Sequence, residues 1–114
     1  MGAISVERVE PTVAVVSLAG EHDAYSAPKL ELELALLQFD RYSIVVDLSE
    51  TTFIDSSVVG VLLRARENAG QAGRKFALVL DDTTGDAVRT IFDLTGLRDV
   101  FAVGATPRAA LDAA

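Results

Sequence analysis

Apolar residues recur along this chain in two rhythms, a short β-like one and a longer helical one, and their alternation outlines the fold. Ala3 to Val9 and Thr12 to Leu18 read as two short strands with Glu10-Pro11 between them as the turn. Proline presets a turn dihedral, so a link this short predicts an antiparallel hairpin. Gly20 is expected to end the second strand, and Glu21-His22-Asp23 to form a polar loop. Ser26 is a candidate cap for a helix with Pro28 in its first turn, and Leu30, Leu34 and Leu37 fall on one helical face. Ser43 to Leu48 has a continuous apolar centre, which predicts a strand buried on both faces.

Further along, Val58, Val61, Leu62, Ala65 and Ala69 keep helical spacing until Gly70 and Gly73 punctuate it. Lys75 to Leu80 predicts another strand. Thr83 or Thr84 is placed to cap a third helix carrying Val88, Ile91 and Phe92, with Gly96 as its left-handed C-terminal cap before apolar Leu97. Val100 to Val103 reads as a short strand, and Thr106-Pro107 starts a last helix. The predicted order is β-β-α-β-α-β-α-β-α. That is an α/β fold in a single domain over residues 1–114, a mixed and mostly parallel β-sheet with an N-terminal antiparallel hairpin, packed by about four helices. Residues 1–114 contain no internal repeat, linker or low-complexity stretch.

Composition narrows the function classes. Half of the 114 residues are hydrophobic and the formal net charge is −7. Non-specific binding to nucleic acid or to an anionic membrane needs clustered Lys and Arg, so neither is expected, while basic partner surfaces are favoured. The absence of cysteine excludes a disulfide framework and a thiolate metal site. One histidine and scattered carboxylates give no metal-ligand spacing, and Gly-Glu-His-Asp is no phosphate-cradling glycine loop, so no metal and no cofactor are expected. The start, MGAISVERVEPTV, lacks a basic region followed by an apolar one, and no apolar run approaches the ~20 residues of a membrane span. The expected location is the cytoplasm, without direct membrane insertion, as a monomer or weak dimer.

The stretch FIDSSVVG, Phe53 to Gly60, breaks an apolar run with Asp55, Ser56 and Ser57. It lies at the carboxyl end of a buried strand, where open α/β folds place their sites. A helix cap on Asp55 or Ser56, worth roughly 1 kcal/mol, explains one polar residue or two and does not need three in a row. Ser57 falls in the first helical turn. A phosphate there would add about −1.5 to −2 charges and three acceptor oxygens, at a helix end whose dipole and free amides are expected to favour it. Such a modification rewrites the local surface while sparing the scaffold. Asp23 follows a strand end and is expected near the same sheet edge. Val59 and Leu63 form a second apolar stripe, either exposed and sticky or packed under a neighbouring helix. Close packing against another backbone is the expected reason for Gly60.

The sequence resembles the STAS domain family, in particular its stand-alone bacterial anti-sigma factor antagonists (anti-anti-sigma factors). LAGEHDAYSAPKL is similar to the family's Gly-Glu-Leu-Asp segment, IVVDLSETTFIDSSVVGVLLRA to the buried strand and Asp-Ser-Ser-Gly-Leu-Gly phosphorylation motif, and IFDLTGL to a Phe-Asp-x-x-Gly-Leu segment. The resemblance implies phosphorylation at Ser57 and a partner-binding surface around Asp23, Asp55, Ser56, Val59 and Leu63. It implies as partner an anti-sigma factor that is an ATP-binding serine kinase. That kinase is bound by the unphosphorylated antagonist, which frees the sigma factor, and is released on phosphorylation; a serine phosphatase resets the switch and sigma-factor-dependent transcription follows.

Two departures accompany the resemblance. Val58-Val59 stands where the family has Gly-Leu, which stiffens the turn beside Ser57, and His22 stands where a leucine precedes the aspartate. A lone His is most often a surface or packing residue, although beside Asp23 it is also placed to modulate partner choice near neutral pH. A second reading is a STAS subunit that relays no phosphate, such as an accessory protein of a lipid-transport ATPase or a signalling scaffold. A hydrolase reading, with Ser57 as nucleophile, His22 as base and Asp23 or Asp55 to orient it, lacks the Gly-x-Ser-x-Gly turn and sets His22 directly beside Asp23. The chain is therefore not expected to be an enzyme.

Overall fold

In the computed structural model, which describes residues 2–114, the alternating rhythms resolve into one sheet with helices on both faces. Strands β1 (Ala3–Glu10) and β2 (Val13–His22) form the antiparallel hairpin. They are followed by α1 (Ala27–Phe39), β3 (Ser43–Ile54), α2 (Ser56–Gln71), β4 (Phe76–Val79), α3 (Asp86–Thr95), α4 (Leu97–Val100), β5 (Ala102–Gly104) and α5 (Pro107–Ala113). The strands lie in the order β1-β2-β3-β4-β5, with β2 to β5 parallel.

Each parallel strand is added on the same side of the one before it. Right-handed crossovers therefore bring the connecting helices to a single face. There Leu30, Leu34 and Leu37 of α1, Val58 and Leu62 of α2, and Val88 and Phe92 of α3 pack on Val16, Leu18, Val46, Leu48 and Leu78. Helix α5 follows the last strand instead of joining two, and it covers Val15, Val45, Ala77 and Val79 on the opposite face with Ala110 and Leu111. Each Leu or Val buried in this way contributes about 1.5–3 kcal/mol before entropy is subtracted. Val45 and Val46 are both fully buried, as the continuous apolar run of β3 predicts.

Several boundaries differ from the sequence expectation, each for a local reason. The hairpin turn is Pro11-Thr12, with Glu10 paired to Val13 across a bulge. Gly20 does not end β2. Its φ of 79° bends the strand, which continues to His22. Strand β3 likewise runs on past Leu48 to Ile54. Thr83 and Thr84 do not cap α3, whose N-cap is Gly85. They close a turn on Asp81 instead, and the Thr83 hydroxyl and then its amide hold the Asp81 carboxyl below the usual carboxylate range. Gly96 adopts the expected left-handed φ of 73°, but the short helix α4 follows it at once. Val100 belongs to that single turn, so the last strand begins at Ala102.

Candidate functional site

The site is built where β2 and β3 end together. Between Ser17 and Glu21 the pairing shifts twice, Ser17 opposing Asp47 but Ala19 opposing Glu50, and Gly20 opposing Thr51 but Glu21 opposing Phe53. Strand β3 thus uses extra residues to travel the same distance, and such bulges bend and twist a strand. The buried Thr51 hydroxyl steadies this stretch by donating to the Leu18 carbonyl at 2.7 Å. The register then brings Ile54 opposite His22, so that Asp23 and Asp55 leave the sheet side by side.

Asp55 is the N-cap of α2, in extended conformation. Its Oδ1 accepts from the amides of Ser57 at 3.0 Å and Val58 at 3.2 Å, and its Oδ2 accepts from the Ala24 amide at 3.2 Å. One carboxylate therefore starts the helix and ties it to the loop after β2. Within that loop the Asp23 carbonyl accepts from the Ser26 and Ala27 amides, and Asp23 Oδ1 accepts from the Tyr25 amide at 2.9 Å.

Of the residues singled out in the sequence, Asp23 and Ser56 are exposed, while Asp55, Ser57 and Val59 are half-buried. The stripe of Val59 and Leu63 divides between the two expectations. Val59 packs against the core, and Leu63 stays 37% exposed. The Ser57 side chain borders a cleft of about 340 Å³ between the starts of α1 and α2, shared with Ala27, Gly60 and Arg64. Among the described residues no hydrogen bond holds its hydroxyl. Asp23 borders a second cleft, of about 600 Å³, with Tyr25, Lys29 and Phe53. Tyr25, 97% exposed, and Phe53 escaped the sequence reading; an aromatic residue inside a polar loop was the available signal for the first.

Four expectations change. The amides that were to favour an anion at Ser57 are already bonded to Asp55. His22 is 1% exposed, its Nε2 bonding the Ala19 carbonyl at 3.1 Å and its Nδ1 the Ser26 hydroxyl at 3.0 Å. A carbonyl only accepts, so Nε2 carries a proton and donates it to Ala19, while Nδ1 pairs with the Ser26 hydroxyl. With both nitrogens engaged, His22 is a packing residue sealed beneath the loop and is not placed to act as a base for Ser57. The Val58 side chain is fully buried, so its bulk goes into the core. Finally, no foreign backbone approaches Gly60. The nearest atom to a Cβ built there belongs to the Arg64 side chain.

The STAS domain family matches residues 4–110, nearly the whole of the sheet and its helices. The chain belongs to the STAS domain family. It is 34% identical over 89 residues to the anti-sigma-B factor antagonist of Listeria monocytogenes, covering 77% of this chain and 75% of that protein. Identity to the anti-sigma-B factor antagonist of Bacillus subtilis is 31% over 90 residues, or 79% of this chain and 80% of that one. The crystal structure of an anti-sigma factor antagonist from Mycobacterium paratuberculosis superposes with a TM-score of 0.84 at 32% identity, covering 99% of this chain and 93% of the other. Among the described residues of this STAS domain, no helix is long and apolar enough to cross a membrane.

Proposed function

We propose that this STAS domain is an anti-sigma factor antagonist whose binding is switched by phosphorylation of Ser57. Unphosphorylated, it binds an ATP-binding anti-sigma factor kinase through the edge formed by Asp23, Ser56 and Leu63, extended by Tyr25 and Phe53. Asp55 and Val59 support that edge from beneath. Phosphorylation at Ser57 puts a bulky anion into this surface and releases the partner, and a serine phosphatase restores it.

The observation that carries this reading is the division of labour at the start of α2. Asp55 takes the capping and tethering bonds, Val58 takes the core contact, and the Ser57 hydroxyl is left unbonded beside an open cleft. A hydroxyl with no structural task can be esterified without unfolding its surroundings. The kinship to anti-sigma-B factor antagonists at 34% and 31% identity supports the same class of partner.

The test is incubation with the matching anti-sigma kinase and ATP, with the modified residue located by mass spectrometry. One phosphate on Ser57, absent in Ser57→Ala and retained in Ser26→Ala, is the expected result. An unlabelled wild-type chain that instead co-purifies with a transporter ATPase would favour the subunit that relays no phosphate.

A further inference from the structure

Ser57, Gly60 and Arg64 are spaced by three and four residues on α2, so they share one helical face. That face is one wall of the smaller cleft, and Glu31 of α1 stands on the other. Arg64 Nε donates to Glu31 Oε2 at 2.8 Å. The guanidinium does not simply reach across. Its Nη1 lies 3.3 Å from where a Cβ on Gly60 would be, so the head group is drawn back over the bare backbone of Gly60, toward Ser57. Helical side chains lean toward the N-terminus in this way, and the missing Cβ clears the path.

A phosphate on Ser57 has few other places to direct its charge. The nearest helix amides are occupied by Asp55, and both Asp55 and Glu31 are themselves anionic. Among the described residues lining the cleft, Arg64 is the sole cation. Its present pairing is easily given up, because Arg64 and Glu31 are 59% and 50% exposed and the bond is screened by water. Against one carboxylate, a phosphoserine offers about −1.5 to −2 charges and three oxygens, which a planar guanidinium engages through paired bonds.

We propose that Arg64 is an internal clamp for phosphorylated Ser57: the phosphate draws the guanidinium off Glu31 and leaves Glu31 as an unpaired carboxylate on α1. The inference rests on Ser57 being the phosphoacceptor. Its consequence is that modification changes both walls of the cleft, through a side-chain exchange that requires no backbone movement. A partner seated across the starts of α1 and α2 meets a new anion on each helix.

The experiment needs no kinase. Phosphoserine is installed at position 57 by genetic code expansion, and the phosphate is titrated by 31P nuclear magnetic resonance. Its second pKa, ordinarily near 6, is expected about one unit lower in the phosphorylated wild type than in phosphorylated Arg64→Met. Gly60→Ala, whose methyl group crowds Nη1, is expected to lose part of that shift. The difference should shrink in high salt. Superimposable titrations of wild type and Arg64→Met, with both chains folded by circular dichroism, would overturn the clamp while leaving kinase labelling of Ser57 as measured. A shift in a chain that no kinase labels would uphold the Arg64–phosphate contact and remove the switch it serves.

Discussion

Ser26 and Ser57 occupy matching places, each at the start of a helix that follows a parallel strand, yet their hydroxyls are used in opposite ways. Ser26 does not cap its helix by its side chain. Its hydroxyl accepts from the Asp23 amide at 3.2 Å and bonds His22 Nδ1 at 3.0 Å, fixing the loop from within. The Ser57 hydroxyl holds nothing together, because the neighbouring Asp55 has taken the capping bonds. The contrast separates two meanings of the same residue type at the same topological position. A serine whose oxygen is committed to its surroundings is part of the scaffold, whereas one relieved of that duty by a neighbour is available for chemistry. The committed serine also serves the free one, since the loop it fixes carries Ala24, whose amide is tethered to Asp55.

Substitutions can break this contrast in order of decreasing effect. Asp55→Ala removes the cap and the loop tether together and is expected to cost about 2 kcal/mol, the upper end for lost caps. A urea midpoint for this variant equal to the wild type would show that the carboxylate is dispensable to the scaffold. Asp55→Asn, which keeps an acceptor, should recover most of the loss. Ser26→Ala strips the buried His22 ring of its hydroxyl partner, with an expected loss of about 1 kcal/mol by the same measurement. Ser57→Ala is expected to change stability by less than about 0.5 kcal/mol, as for surface positions without structural bonds. Should Ser57→Ala prove more damaging than Ser26→Ala, the assignment of scaffold and switch would be reversed.

Much of this was legible in the chain. The helical period of α2 identified Val58, Val61, Leu62, Ala65 and Ala69, all of which are buried, and Leu30, Leu34 and Leu37 of α1 are buried likewise. Periodicity survives in a sequence because each of these contacts faces the same core. Motif chemistry left the cap of α2 between Asp55 and Ser56 and put Ser57 in the first turn, and the structure assigns the cap to Asp55. What the sequence hid were consequences of pairing between distant segments. The bulges that lengthen β3 depend on its register with β2, and without them the strand was expected to stop at Leu48. The ion pair of Arg64 with Glu31 joins residues 33 positions apart, and neither belongs to a local pattern that announces the other. The threonines before α3 had the composition of caps, but Asp81 captured them in a turn. Local signals were reliable where no other partner, near or remote, competed for the same group.

The central claim is that esterifying Ser57 rewrites the docking surface while leaving the domain folded. Its most direct test is a calorimetric titration of the matching anti-sigma kinase, lacking ATP, with the unmodified chain and with the chain carrying phosphoserine at 57. The account expects the phosphorylated chain to bind at least about a hundredfold more weakly, a difference near 2.7 kcal/mol, at an unchanged melting temperature. Equal affinities for the two chains, or a phosphorylated chain that no longer melts cooperatively, would contradict it.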